Sequence, residues 1–273
     1  MTGRSAVLDA EEAWERLRTV RSEADAEAAG LVPRANGGLR WGEDASTEAQ
    51  LLAERYLPLC LAGPLLTFAQ LGQSLDGFIA TRTGDADFVT GEEDRLHLHR
   101  LRALADAVVV GAGTAVADDP QLTVRACPGD NPVRVVLDPK GRVPLRRQVF
   151  TDGSAPTLWV VGVGSEHGMP VPDGVDVLEL PEDDFAPGHL VRALAQKGLG
   201  RVLIEGGGVT VSRFLHEGAL HRLYVTVAPV LIGDGVPGLR FPGQPVMRDA
   251  LRPPVRRAAL GEDTLFELEL RAP

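Results

Sequence analysis

The segment from Asp106 to Arg125, DAVVVGAGTAVADDPQLTVR, constrains the fold of this chain more than any other stretch. Residues 108–110 form a β-branched run of the length expected for a buried strand. Gly111 and Gly113 then interrupt the run, and glycine lets a backbone approach a ligand closely because it has no Cβ atom. The pattern predicts a sheet strand that ends in a glycine loop, a common position for small-molecule sites in α/β proteins.

A second strand of this kind is predicted at residues 201–204, and it also runs into glycines, Gly206, Gly207 and Gly208. A helix is predicted over residues 210–217, so its N-terminus and the glycine amides would form a site for a phosphate or pyrophosphate. The segment matches neither GxxxxGK[ST] nor GxGxxG, which disfavours kinases and standard dinucleotide-binding folds. Either turn alone is more typical of a tight connection, but the pair favours a nucleotide cofactor.

From Pro64 onward, apolar runs alternate with amphipathic segments. Further strands are predicted at residues 65–71, 133–137, 157–163 and 175–180, and further helices at 92–105 and 190–197. The last two predicted strands, 223–230 and 265–270, have no helix of useful length between them, so they can pair antiparallel. The predicted fold is a three-layer α/β domain with a mixed, mostly parallel sheet and late antiparallel strands.

Residues 1–62 differ from the rest and are predicted to be a helical N-terminal extension to an α/β domain that covers residues 63–273. One amphipathic helix is expected over residues 8–29, with Asp9 as its N-cap and Gly30 as its stop. A loop is expected at residues 33–42 and another helix at 47–59. This extension would pack on the main domain or on a second subunit, or be a decoration without a chemical role.

Composition excludes several classes of function. The net charge of −10 disfavours nucleic acid as a partner. The chain has no run of about 18 apolar residues and no basic, then apolar, leader, so we expect a cytoplasmic protein without a membrane segment. It contains two cysteines and no Cys/His cluster at metal-ligand spacing, so no metal site is predicted.

Four charged residues near the two turns are candidates for chemistry. Asp118 and Glu205 would supply carboxylates, although surface positions would explain both equally well. Arg102 and Arg125 could clamp a terminal phosphate if the loop folds back over the helix that carries Arg102. Spacing alone does not bring these arginines together.

Seven motifs occur in a fixed order across residues 65–239: SLDGFIA, DFVTG, HRLRALADAVVVGAGT, DDPQLTVR, NPVRVVLD, VLIEGGG and LYVTVAPVLIGDG. In content, order and spacing they resemble the reductase domain of the bifunctional riboflavin biosynthesis deaminase/reductase, a member of the dihydrofolate reductase-like superfamily. The resemblance implies that fold and a homodimer. Within these 273 residues no HxE precedes a PCxxC, so zinc-dependent deamination is not expected here.

The resemblance also implies NADPH as cofactor and reduction of the ribosyl group of 5-amino-6-(5-phosphoribosylamino)uracil, with hydride delivered to C1′ of its open imine form. The implied cofactor positions are Gly72, Phe88, Thr114, Asp118, Asp138 and the pyrophosphate loop from Gly207 to Arg213, which includes Gly208, Val209 and Thr210; the glycine pattern adds Gly111, Gly113 and Gly206. The implied substrate positions are Ala86, Arg102, Leu122, Arg125 and Glu205, with Arg102 and Arg125 near the ribose phosphate. Asp118 and Glu205 are the predicted catalytic residues, which would orient the substrate amine and hydroxyls or handle the proton.

Three positions depart from the family pattern. The family commonly has lysine at the positions of Gln70 and Phe78, and a small hydroxyl residue at Ala86, so phosphate binding would depend on the two arginines. Two alternatives therefore stay open. One is a reductase of the same superfamily that acts on a pterin or a specialised-metabolism pyrimidine, and the other is a non-catalytic NADPH-binding regulatory protein with residues 1–62 as its interaction arm.

Overall fold

The computed structural model describes residues 7–35, 37–87, 89–165 and 170–270. The chain divides into two compact units, Met1–Leu65 and Leu66–Pro273. The division lies close to the boundary expected between residues 62 and 63. Within the described ranges, no helix is both long enough and apolar enough to span a bilayer.

The N-terminal unit is a small α/β unit with its own apolar core. Its elements are α1 (Ala10–Leu17), α2 (Glu23–Ala28), β1 (Leu31–Pro33), β2 (Leu39–Trp41) and α3 (Thr47–Cys60). Trp14 and Tyr56 pack edge to face with ring centroids 5.3 Å apart. The buried indole of Trp41 donates a 2.9 Å hydrogen bond to the Ala49 carbonyl, so the aromatic side chains tie the hairpin to α3.

Two predictions for this unit were wrong. The single helix expected over residues 8–29 is two helices, because Ser22 accepts a hydrogen bond from the Asp25 amide and so begins a new helix. The loop expected at residues 33–42 is largely an antiparallel hairpin, β1 paired with β2, whose strands are too short to show an alternating pattern. The predicted N-cap is confirmed, since the Asp9 carboxylate accepts a 2.9 Å hydrogen bond from the Glu12 amide.

The second unit is built on a nine-stranded sheet with the order β12-β13-β10-β3-β9-β5-β6-β7-β8. Its strands are β3 (Leu66–Ser74), β4 (Phe78–Thr81), β5 (Ala107–Gly111), β6 (Val133–Asp138), β7 (Thr157–Gly162), β8 (Val175–Leu180), β9 (Arg201–Ile204), β10 (Arg222–Ala228), β11 (Gly235–Pro237), β12 (Val255–Leu260) and β13 (Asp263–Glu269). Its α-helices are α4 (Glu92–Ala103), α5 (Ala112–Ala117), α6 (Gln148–Thr151), α7 (Pro187–Gln196) and α8 (Gly208–His216). Strands β4 and β11 form a separate antiparallel pair.

The predicted fold class is confirmed. The seven strands from β10 to β8 run parallel, whereas β13 pairs antiparallel with β10, and β12 pairs antiparallel with β13. The alternation of strands and helices accounts for the parallel part. The missing helix between the two late strands accounts for the antiparallel edge.

The two faces of the sheet differ in chemistry. Side chains on one face, such as Leu71 and Val109, pack in an apolar core with Leu190 of α7 and Phe214 of α8. Because successive side chains of a strand point to opposite faces, Gln70 lies on the other face, where it contacts α4. That second face is mixed: it carries apolar side chains such as Val108 and Leu203 as well as polar ones such as Gln70, and much of the candidate site lies on it.

Candidate active site

The two glycine turns lie side by side at one edge of the sheet. Strands β5 and β9 are parallel neighbours, so their carboxyl ends meet. The Gly207 N–H donates a 2.8 Å hydrogen bond to the Thr114 hydroxyl, which joins the turn after β9 to the helix after β5. The segment after β5 is not the loop that was predicted, since Ala112–Ala117 forms the short helix α5.

Close packing explains why three of these positions are glycine. A Cβ atom on Gly111 would lie 2.6 Å from the Thr210 hydroxyl oxygen, and one on Gly206 would lie 2.7 Å from that of Thr114. Gly206 also has a φ of +95°, a backbone conformation that favours glycine. A Cβ atom on Gly208 would lie 1.9 Å from the Gly238 carbonyl oxygen. The glycines therefore let two turns and a third segment approach one another.

Fewer backbone positions of the two turns are open to a ligand than the glycine pattern predicted. A Cβ atom on Gly113 would meet no atom within 4 Å, so the backbone there is accessible. The Gly207 amide, by contrast, already donates to Thr114. The amides of Gly208 and Val209 lie in the first turn of α8, where N–H groups have no acceptor within the helix. Val209 is 85% exposed whereas Gly208 is buried, so this helix end is accessible from the side of Val209.

This geometry fits the pyrophosphate of a dinucleotide. First-turn amides and the positive end of the helix dipole both favour an anion. The bare backbone at Gly113 would let a ligand lie against the neighbouring turn. Val209 and Thr210 would then lie at the pyrophosphate, and Thr114 would hold the two turns in register.

A buried ion pair lies next to the glycine turn, on the side of the sheet that α4 covers. Arg102 of α4 donates through Nε and Nη2 to the two carboxylate oxygens of Glu205, at 2.8 and 2.7 Å. It donates through Nη1 to the Thr123 carbonyl at 2.9 Å. Burial lowers the pKa of Arg102, but Glu205 outweighs that effect and leaves the pKa raised. Both side-chain oxygens of Glu205, one residue before Gly206, are therefore held by a single guanidinium.

Arg125 lies beside this pair and has its charge uncompensated. Its Nη1 donates to the Thr123 hydroxyl at 2.6 Å, and its backbone N–H donates to Nδ1 of His99 at 2.9 Å. Burial and then the charge of Arg102 lower its pKa. Within the described part of the chain Arg125 forms no ion pair, so the structure brings the two predicted arginines together but neutralises Arg102 alone.

The segment that carries Arg125 has a strained but well-anchored backbone. Asp119 and Leu122 have positive φ angles of 43° and 56°, which are uncommon for residues other than glycine. The Asp119 carboxylate accepts the Gln148 amide at 2.8 Å, and the Val124 amide donates to Asn131 at 2.7 Å. Such strain persists where the surroundings fix it, often at binding sites.

The two remaining predicted acids have contrasting surroundings. Asp118 caps the C-terminal end of α5 and is exposed, and partial desolvation raises the pKa of its carboxyl group. Asp138 ends β6 and is buried. Its Oδ2 accepts the Val143 amide at 2.7 Å and the Trp159 indole N–H at 3.3 Å. These contacts place its carboxylate in the turn after β6, and no contact with the glycine turns is observed among the described residues.

Three other predicted residues are less closely connected to this cluster. Gly72 lies near the end of β3, where an added Cβ atom would lie 2.8 Å from Thr90 and 3.3 Å from Asp94. Ala86 is exposed in the segment between β4 and α4. Phe88 lies outside the described residues.

Sequence reasoning missed the polar inner face of α4. His97, His99 and Arg102 of this helix are all buried, together with the apolar Leu101. Asp94 is buried too, and it accepts hydrogen bonds from the Thr226 hydroxyl at 2.6 Å and the Gln70 amide at 3.1 Å. The available signal was the unusual run of polar residues on both sides of the apolar stripe. No group of three or more potential metal ligands occurs among the described residues.

The region of the chain that matches a known protein family lies within the second unit. The profile of the RibD C-terminal domain family matches residues 66–258. The chain is 36% identical over 211 residues to the 2,5-diamino-6-ribosylamino-4(3H)-pyrimidinone 5′-phosphate reductase of Methanothermobacter thermautotrophicus, covering 72% of this chain and 94% of that protein. It is 38% identical over 166 residues to the riboflavin biosynthesis protein RibD of Aquifex aeolicus, covering 60% of this chain but only 46% of that protein.

Solved structures show the same likeness. A Thermotoga maritima diaminohydroxyphosphoribosylaminopyrimidine deaminase/5-amino-6-(5-phosphoribosylamino)uracil reductase superposes with a TM-score of 0.65 at 26% identity, covering 82% of this chain and 62% of that one. Acinetobacter baumannii RibD gives 0.64 at 26% identity, covering 90% of this chain and 67% of that one. The chain spans about half the length of the RibD sequences it matches. Because the family profile covers most of the second unit, this chain belongs to the RibD C-terminal domain family, the reductase part of the riboflavin biosynthesis proteins.

Proposed function

We propose that this protein is an NADPH-dependent reductase that acts on the ribosyl group of 5-amino-6-(5-phosphoribosylamino)uracil or of the corresponding 2,5-diaminopyrimidinone phosphate. The Methanothermobacter relative is named for the second of these substrates, and the match covers 94% of that protein. The observation that carries the proposal is the adjacency of two features. A helix N-terminus suited to pyrophosphate begins three residues after Glu205, at Gly208, and Glu205 is paired with Arg102 beside the uncompensated Arg125.

The residues divide into a cofactor group and a substrate group. Gly113, Gly208, Val209 and Thr210 would hold the pyrophosphate, and Thr114 would keep their turns together. When bound, NADPH would supply a hydride to the sugar carbon. Arg125 would bind the ribose phosphate, while Glu205, held in place by Arg102, would accept hydrogen bonds from substrate hydroxyl or amine groups.

The reduction also needs a proton, and the two predicted acids are not equivalent sources of it. Both side-chain oxygens of Glu205 accept N–H groups of a buried guanidinium, an arrangement suited to a fixed hydrogen-bond acceptor. Asp118 lies exposed at the C-terminal end of α5 with a raised pKa, so it holds a proton more readily than an ordinary aspartate. We assign proton handling to Asp118 and substrate orientation to Glu205.

Two further properties belong to this proposal. We propose a homodimer in the cytoplasm, as the resemblance and the composition led us to expect, and molar mass by light scattering would test the dimer. A pterin reductase or a non-catalytic NADPH-binding protein is the alternative, because Gln70 and Phe78 stand where the family commonly has lysine. In the structure, the Gln70 amide donates to Asp94 instead of supplying a charge.

One assay separates these functions. NADPH absorbance is followed with purified protein and, in turn, the phosphoribosylaminouracil, the diaminopyrimidinone phosphate, their dephosphorylated forms and dihydrofolate. The proposal predicts oxidation of NADPH with one or both phosphorylated pyrimidines and formation of the ribityl product by mass spectrometry. Oxidation with dihydrofolate alone would assign a pterin reductase, and NADPH binding without turnover would assign a regulatory protein.

A further inference from the structure

We propose that His99 is a positioning residue for substrate phosphate: its ring holds the backbone of Arg125 so that the Arg125 guanidinium faces the anion. The proposal rests on the proposed function for the identity of the substrate, and it concerns a residue that is not among the predicted site residues. His99 lies on the buried side of α4, three residues before Arg102, and is 8% exposed.

The hydrogen bond between His99 and Arg125 has a defined direction, from the Arg125 backbone to the His99 ring. Nδ1 of His99 accepts the backbone N–H of Arg125 at 2.9 Å, so Nδ1 carries no proton and the ring is neutral with its proton on Nε2. Burial, followed by the charges of Arg102 and Arg125, lowers the pKa of His99 to about 4, and the Thr123 carbonyl opposes this shift only in part. The acceptor is therefore available throughout the neutral pH range.

The contact with His99 restrains the backbone of Arg125. Leu122, three residues before Arg125, has a left-handed backbone conformation that the chain keeps only where its surroundings hold it. The segment is anchored at Asp119 by Gln148, at Val124 by Asn131, and at Arg125 by His99. Of these contacts, the one with His99 acts on the backbone of the arginine itself. Removing it frees the position from which the guanidinium extends.

The Arg125 guanidinium presents a positive charge that no neighbouring carboxylate among the described residues compensates. Glu205 compensates Arg102, so an anion that enters beside this pair meets the charge of Arg125. The Thr123 hydroxyl accepts from Arg125 Nη1 and the Thr123 carbonyl accepts from Arg102 Nη1. Thr123 therefore holds the two guanidinium groups next to each other. His99 holds the backbone from which the Arg125 side chain extends.

Two substitutions at His99 separate positioning from simple packing. His99→Asn places an oxygen where Nδ1 is, so it can still accept the Arg125 amide, whereas His99→Gln places its oxygen near the position of Nε2. Glutamine is the better helix former, so a purely structural role predicts that the Gln variant resembles wild type more than the Asn variant does. The positioning role predicts the reverse.

The experiment measures kcat and KM for each variant with the phosphorylated pyrimidine and with its dephosphorylated form. We expect His99→Gln to raise KM for the phosphorylated substrate about tenfold, with kcat kept, because loss of one buried hydrogen bond corresponds to roughly that factor. We expect His99→Asn to restore most of it, and neither variant to change KM for the dephosphorylated substrate. Equal effects on both substrates, or a Gln variant that performs better than Asn, would overturn the proposal.

A binding measurement separates failure of this proposal from failure of the proposed function. Ribose 5-phosphate is titrated calorimetrically into wild type and both variants, with thermal unfolding as the check on folding. Binding that His99→Gln weakens and His99→Asn retains supports the positioning role even if no pyrimidine is reduced. Absence of ribose 5-phosphate binding to the wild type, or binding that neither variant alters, would contradict it.

Discussion

Asp118 and Glu205 are both acids near a glycine turn, but their neighbours give them different chemistry. Glu205 is buried against a bidentate arginine, and breaking such a pair leaves an uncompensated buried charge. Asp118 faces solvent at the end of α5 with a raised pKa. Both lie near a glycine turn in the sequence, and we therefore predicted one shared role for them. What distinguishes them is that Glu205 has a charged partner, Arg102, which is 103 residues away in sequence.

Asparagine at position 118 and glutamine at position 205 should therefore fail in different ways. We expect Asp118→Asn to lower kcat at least about tenfold with little change in KM, because it removes a proton donor and leaves binding intact. We expect Glu205→Gln to raise KM and to lower stability, because Arg102 loses its counter-charge. Steady-state kinetics and urea unfolding of both variants provide the check. Wild-type kcat in Asp118→Asn would remove that residue from proton handling.

The contact between α5 and the turn before α8 is the central junction between elements in this site. Two parallel strands alone bring their ends to one edge, but the hydrogen bond from Gly207 to Thr114 fixes the distance between the turns. Sequence patterns cannot reveal such a contact. The helix α5 was read as a loop because glycine and alanine alternate at its start, and its six residues are held by the strands on either side instead of by intrinsic propensity.

Thr114→Val should loosen this junction. Valine has the shape of threonine but no acceptor, so the partly buried Gly207 N–H would lose its partner, at a cost of about 1–3 kcal/mol. We expect the dissociation constant for NADPH to rise about tenfold, measured by fluorescence titration. Thr114→Ser keeps the hydroxyl and is the matched control, for which we expect near wild-type affinity. Equal affinities in the Val and Ser variants would show that the hydroxyl does not organise the turn.

Across the whole chain, the sequence was most informative where apolar periodicity was unbroken. Strands β8 and β9 were predicted to the residue, and the antiparallel pairing of β10 with β13 followed from the missing helix. Strand β12 was missed because Val255–Leu260 has two arginines at its centre and lies at an exposed sheet edge. The polar face of α4 was missed because its partners, such as Thr226, come from strands far along the chain. Local pattern thus predicted the sheet, and contacts between distant residues built the site.

The buried neutral His99 should leave a measurable mark on the stability of the whole protein. Its pKa of about 4 in the folded state lies below the 6.5 of an ordinary histidine, so the unfolded chain binds this proton more tightly. Its contribution to the free energy of unfolding is therefore complete above pH 6.5 and is lost as the pH falls from 6.5 towards 4. The shift corresponds to at most about 3 kcal/mol.

Comparison with His99→Asn isolates this contribution, because that variant has the same titrating carboxylates, including Asp94 with its raised pKa and Asp152 with its lowered one. The charges of Arg102 and Arg125, which face the ring, are also unchanged. Urea unfolding at a series of pH values should give a wild-type minus variant difference that is constant above pH 6.5 and declines below it. A difference that stays constant down to pH 4 would mean that His99 is not held neutral, and the hydrogen bond to Arg125 would then need another donor and acceptor assignment.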